Sequence, residues 1–172
     1  MAGALALVGA LGCSGADEEA RTNVECPPHA RESFELVSSV LEKRCGTLDC
    51  HGSFHRPLRI FGQNALRRPL SPDEASGIKV GEYFPGGTVV TTDAELADNV
   101  RSICGLEPEL MAQVAEGSAS PEDLLLVKKA RLREKHKGGR IWDKGSDGDV
   151  CITSWLVGHT ELGMCKREIE HL

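Results

Sequence analysis

A mainly helical domain, stapled by disulfides and interrupted by a long loop-rich insertion, is the fold class this chain predicts. Three observations carry it. Apolar residues recur at three- and four-residue spacing in several stretches, most of them headed by a capping pair. Residues 52–91 are instead rich in glycine, proline and arginine and read as loop, with "RPLRIFG" a short extended piece at most. Seven cysteines are spread over 172 residues, more than a reduced compartment usually tolerates. Hydrophobic residues make up 40% and charged residues 27%, which is globular composition. A formal charge of −6 argues against nucleic acid as the main partner, because phosphate binding favours a basic surface. No apolar run reaches the ~18–20 residues needed to cross a bilayer.

The elements follow in order. "ALALVGALGC" is a short apolar run closing on small residues at Cys13, and polar "SGADEEARTN" comes next. Such a segment reads as a secretion signal over residues 1–12. The cysteine at the cut resembles the lipobox of bacterial lipoproteins, which implies acylation of Cys13 and a lipidated tether over 13–30. The folded domain is then 31–172. The expected location is the cell envelope, at the periplasmic face of the outer membrane or at the cell surface, with membrane association through the lipid anchor only.

"ARESFELVSSVLEKRC" predicts the first helix, with Phe34, Val37, Val40 and Leu41 forming one stripe that runs into Cys45. Thr92 and Glu95 make a capping box at the head of "DAELADNVRSICG". Pro108 suits the first turn of "PELMAQVAEG". Ser120 with Asp123 leads "EDLLLVKKA", and Ser146 with Asp149 leads "DVCITSWLVG", which ends at Gly158. Export gives the cysteines a role. With Cys13 lipidated and Cys45 and Cys50 set aside, Cys26, Cys104, Cys151 and Cys165 remain as an even set for two disulfides. Three connectivities are open to them; Cys26–Cys104 with Cys151–Cys165 is preferred.

The chemistry concentrates in "EKRCGTLDCHGSFHRP". Cys45 and Cys50 enclose four residues, and His51 follows directly. A C-x2-C-H motif attaches c-type haem: two thiols add to the porphyrin vinyl groups and the imidazole ligates iron. A four-residue loop meets the same geometry if it bulges. Alternatively, Cys45 and Cys50 close a small disulfide ring. Zinc on the same cluster, completed by His55 or His136, is not expected, because zinc cysteines usually belong to reduced compartments.

"FELVSSVLEKRCGTLDCHG", "LLLVKKARLREKHKGG" and "DVCITSWLVG" together resemble exported cytochrome-c-like domains of planctomycete and myxobacterial type. The likeness covers about a quarter of the chain, in order but widely spaced, and residues 54–118 take no part in it. It implies one covalent haem c, with Cys45 and Cys50 as thioether residues and His51 as proximal ligand. The sixth ligand is left among His136, in a "HKGG" turn, Met164 and Met111. Arg56 and Arg59 are candidates for the haem propionates. The eight basic residues between Lys128 and Lys144 form either a solvated face, a propionate neighbour or a steering surface for an acidic redox partner. The implied function is single-electron transfer with a partner protein at the envelope. The alternative is a haem-free, disulfide-stapled binding or structural lipoprotein. No hydrolase or phosphate-loop motif points to an enzyme. The haem reading further predicts that helix 31–44 crosses helix 149–157, and that an apolar cavity of about 300–1,000 Å³ lies beside His51 with an arginine at its rim.

Overall fold

A computed structural model describes residues 26–27, 33–69 and 89–172. Cys13, the apolar leader and most of the tether lie outside the described residues, as do 70–88. Helix α1 spans Phe34–Cys45, α2 Asp93–Cys104, α3 Pro108–Ala115, α4 Leu125–Ala130, α5 Asp147–Leu156 and α6 Leu162–Glu170, with a 3-10 turn at Pro121–Asp123. Among the described residues there is no named strand, only an isolated bridge between Phe61 and Leu66. No helix there is long and apolar enough to cross a membrane.

Helix α1 is the centre of the molecule, in contact with α2, α5 and α6. Its predicted stripe is buried, and Ser38 and Glu42 on its other side are buried too. The expected crossing with α5 is present: the rings of Phe34 and Trp155 lie 4.9 Å apart at a tilt of 43°, a favourable aromatic geometry. The polar side of α1 is covered by the loop that follows the cysteine-histidine motif. Asn99 on α2 secures that loop by pairing with both backbone groups of Phe61, at 2.7 Å each. Its amide also donates to Ser38 (3.1 Å). Ser38 and Thr91 in turn each donate to the Glu42 carboxylate at 2.9 Å. Every member of this buried network has a partner, which is what makes it tolerable away from water.

Both disulfides join the preferred pairs. Cys26–Cys104 and Cys151–Cys165 have Cα separations of 5.6 and 4.8 Å, inside the ~7 Å that a bridge spans. The first ties the tether to the end of α2; the second locks α6 onto α5.

The capping predictions divide. The Thr92–Glu95 box is formed in both directions, and Pro108 stands in the first turn of α3. Gly158 ends α5 at φ 79°. The single helix expected over 122–130 is instead broken at Leu124, whose backbone is extended while its side chain is buried in the core. Tertiary burial outweighs the local box, and the backbone N–H of Leu125 is capped by Glu107 of the preceding α2–α3 segment. The Ser146–Asp149 box does not form either. Asp149 turns to the buried Arg131, accepting from its guanidinium at 2.6 and 2.9 Å, a stronger charge-assisted pairing than a cap. Helix α6 has no counterpart among the sequence-predicted elements. No side chain caps its N-terminus, and it is held by Cys165 and by the buried Glu168.

Candidate functional site: an apolar cleft between two histidines

His51 is fixed by the turn that ends α1. The N–H of His51 donates to the carbonyl of Cys45 (2.9 Å), Cys50 donates to Thr47 (2.9 Å), and Gly52 donates to Thr47 (3.0 Å). The two extra residues of the C-x4-C loop are thereby folded into a compact bulge. A side chain at Gly52 is excluded, because a Cβ there would sit 2.1 Å from the carbonyl oxygen of Gly46. On its other side His51 accepts the N–H of Ile60 at its carbonyl (2.9 Å), and its ring Nδ1 donates to the carbonyl of Leu58 (3.0 Å).

His136 arrives on a second loop, 131–141, far away in sequence. The base of the loop is clipped by Ala130, whose carbonyl takes the N–H groups of Ile141 (2.8 Å) and Trp142 (3.2 Å). Arg131 anchors its first residue to Asp149 and also pairs with Glu122 at 3.1 Å. At the tip, "HKGG" forms a tight turn with Gly139 N–H on the His136 carbonyl (3.1 Å). Gly139 holds φ 74°, which a side chain would oppose. Its carbonyl receives the Nδ1–H of His136 at 2.8 Å.

The two rings stand 6.3 Å apart between centroids, with planes only 14° from parallel. A carbonyl oxygen only accepts, so each Nδ1 carries a proton, and in the neutral form of such a ring the lone pair lies on Nε2. Such backbone carbonyls are the usual orienting partners of a metal-bound histidine. Burial holds the pKa of His51 below the ordinary imidazole value, with His136 and Arg56 adding to the shift and the Leu58 carbonyl opposing it. The ring is therefore neutral at pH 7 and free to bind metal.

Both histidines line one cavity of about 230 Å³. Its wall is almost wholly apolar: Cys45, Pro57, Leu58, Leu106, Leu125, Leu126, Ala130, Ile141 and Trp142, with Lys129 the charged group among them. The volume falls below the 300–1,000 Å³ expected, and the rim cation is this lysine in place of an arginine. Trp142 is held by Glu168, which accepts from its indole N–H (3.0 Å) and from Arg44 (2.7 Å). One carboxylate thus joins α1, the cavity wall and α6.

The nominated residues are partly gathered. Cys45 lines the cavity with His51 and His136, whereas Cys50 is half-buried on the bulge and does not. Both are free thiols, so no small disulfide ring closes there. Burial, reinforced by Cys50, pushes the Cys45 thiol up to about 12. Arg59 lines a separate surface depression with Arg101 and Asp98. Arg56 reaches back only toward the carbonyl of Asp49. Met111 is buried in the core, and Met164 lies on α6 against Arg167; neither lines the cavity. Ile141 and Trp142 escaped sequence reasoning, and Lys129 was noticed only as one of the basic run from Lys128 to Lys144. Their signal was position alone: they flank the loop that carries His136.

Among the described residues, no three histidine, cysteine or carboxylate side chains gather into a metal-holding group. No family model matches the chain, and neither a curated protein nor a solved structure does.

Proposed function

We propose that this chain is an exported, lipid-anchored domain that binds one c-type haem and passes single electrons to a partner protein at the cell envelope. The observation that carries the reading is the pair of imidazoles that line one apolar cleft beside Cys45, 6.3 Å apart between centroids and each anchored through Nδ1. Free thiols at Cys45 and Cys50 beside His51 add the attachment chemistry, in a molecule whose other described cysteines are paired. His51 and His136 would hold the iron, and the walls from α4 and from Trp142 would enclose the ring. Bound there, haem supplies a one-electron couple.

The chain's own part would be to orient the group and exclude water, with His51 and His136 as the residues that would ligate it. Ligation by both side chains would favour electron transfer over oxygen chemistry. A second imidazole also lowers the potential relative to a thioether ligand. Loop cations Arg133, Lys135, Lys137 and Arg140 are exposed around His136 and form a positive surface suited to an acidic partner. The haem-free alternative draws on the cavity's modest 230 Å³.

The test is an absorbance spectrum after periplasmic expression with a haem-attachment system. The expected result is a six-coordinate low-spin spectrum. His51→Ala should abolish it, and His136→Ala should convert it to a high-spin form. A colourless product with intact disulfides would reject haem and leave the stapled binding module.

A further inference from the structure

The two cysteines of the motif differ in a way their spacing conceals. Cys45 ends α1 with its side chain in the wall of the cleft that holds both imidazoles. Cys50 lies on the bulge created by the longer loop, half-exposed and outside that wall. The bulge is no loose segment. It is closed by the bonds from Cys50 and Gly52 to Thr47 and from His51 to Cys45. It is packed so tightly that a Cβ on Gly52 would collide with Gly46. Cys45 and His51 face the cleft, whereas Cys50, on a bulge held by its own backbone bonds, does not line it.

We propose that haem is held through a single thioether, at Cys45, and that Cys50 remains a free thiol. This rests on the haem reading above and refines it. In the step itself the Cys45 S–H adds across one porphyrin vinyl group. The S–H bond and the C=C π bond break, an S–C bond forms at the carbon next to the ring, and hydrogen goes to the terminal carbon. Nothing leaves and nothing is oxidised. The second vinyl group stays conjugated with the macrocycle. The compact bulge then has a purpose beyond spacing. It sets His51 beside Cys45 through the 2.9 Å bond between them, without recruiting the second sulfur.

The experiment uses the full haem-loaded chain, denatured without reductant, alkylated with iodoacetamide and digested. A peptide bearing haem on Cys45 and alkylation on Cys50 is expected. The pyridine haemochrome band should lie between those of haem with two and with no saturated vinyl groups. Cys50→Ala should keep the haem through acid–acetone extraction, whereas Cys45→Ala should release it all. Haem linked to both sulfurs, or haem surviving extraction in Cys45→Ala, would overturn the single linkage and leave the haem reading standing. Fully extractable haem in the unaltered protein would overturn the single linkage and the c-type reading together, leaving only non-covalent haem binding. Failure to bind haem by any criterion would overturn both.

Discussion

The two histidines line one cleft, yet the chain delivers them by different physics. His51 sits six residues beyond the last residue of a buried helix, and every bond that fixes it comes from residues 45–60. His136 sits at the tip of a loop whose anchor is an ion pair to another helix, between Arg131 and Asp149. The first side is therefore local and dictated by backbone hydrogen bonding. The second depends on charge buried between elements, where attraction must offset a large desolvation penalty. The site is half rigid turn and half tethered loop.

The contrast can be broken most sharply at the tether. Asp149→Ala leaves the buried Arg131 without its bidentate partner and should cost about 3–5 kcal/mol. The same change should weaken the His136 side before the His51 side, read as faster amide exchange over 131–141 than over 46–60. Replacing both residues by apolar ones of similar volume should recover much of that loss, because the desolvation penalty disappears with the charges. If the double variant is no more stable than Asp149→Ala, the ion pair is not the anchor.

On the local side, Gly52→Ala forces a methyl against the Gly46 carbonyl and should cost about 1–3 kcal/mol. Because that turn sets the Cys45–His51 relation, covalent haem yield should fall with it. A variant of full stability and full haem content would refute the tight-bulge account. Gly139→Ala, which places a side chain at φ 74°, should cost about 1–2 kcal/mol. Its effect should appear in the His136 ligation and not in haem attachment, so the two glycine variants separate the halves of the site.

The smallest effect concerns the loop that carries Leu58. Burial raises the Glu42 carboxyl above its ordinary 4.5, against the opposing hydrogen bonds from Thr91, Ser38 and Asn64, with Glu95 adding to the rise. The folded state thus favours the protonated form. Its contribution is full below the ordinary carboxylate value and is lost as pH rises through the raised one. Glu42→Gln should flatten this part of the stability–pH curve, measured by thermal denaturation from acid to neutral pH. An unchanged profile would remove Glu42 as its source.

Local chemistry was enough to determine most of the periodic helices, the Thr92–Glu95 cap and the first-turn Pro108, each of which depends on residues a few positions apart. The crossing of Phe34 with Trp155 was expected only from the resemblance to cytochrome-c-like domains. The cysteine arithmetic named four disulfide partners, but only the fold brought Cys26 to Cys104 and Cys151 to Cys165. Local reasoning failed at Leu124 and Asp149, where a cap worth about 1 kcal/mol competes with core burial or a charged partner. It also missed α6, a short helix without a side-chain N-cap that is pinned by Cys165 and Glu168. For the site, the motif pointed to Cys45 and His51, and the "HKGG" turn pointed to His136. The distance between the two rings and the exclusion of Cys50 from the cleft arose only in three dimensions. Both depend on where α1, the bulge and the 131–141 loop come to rest against one another.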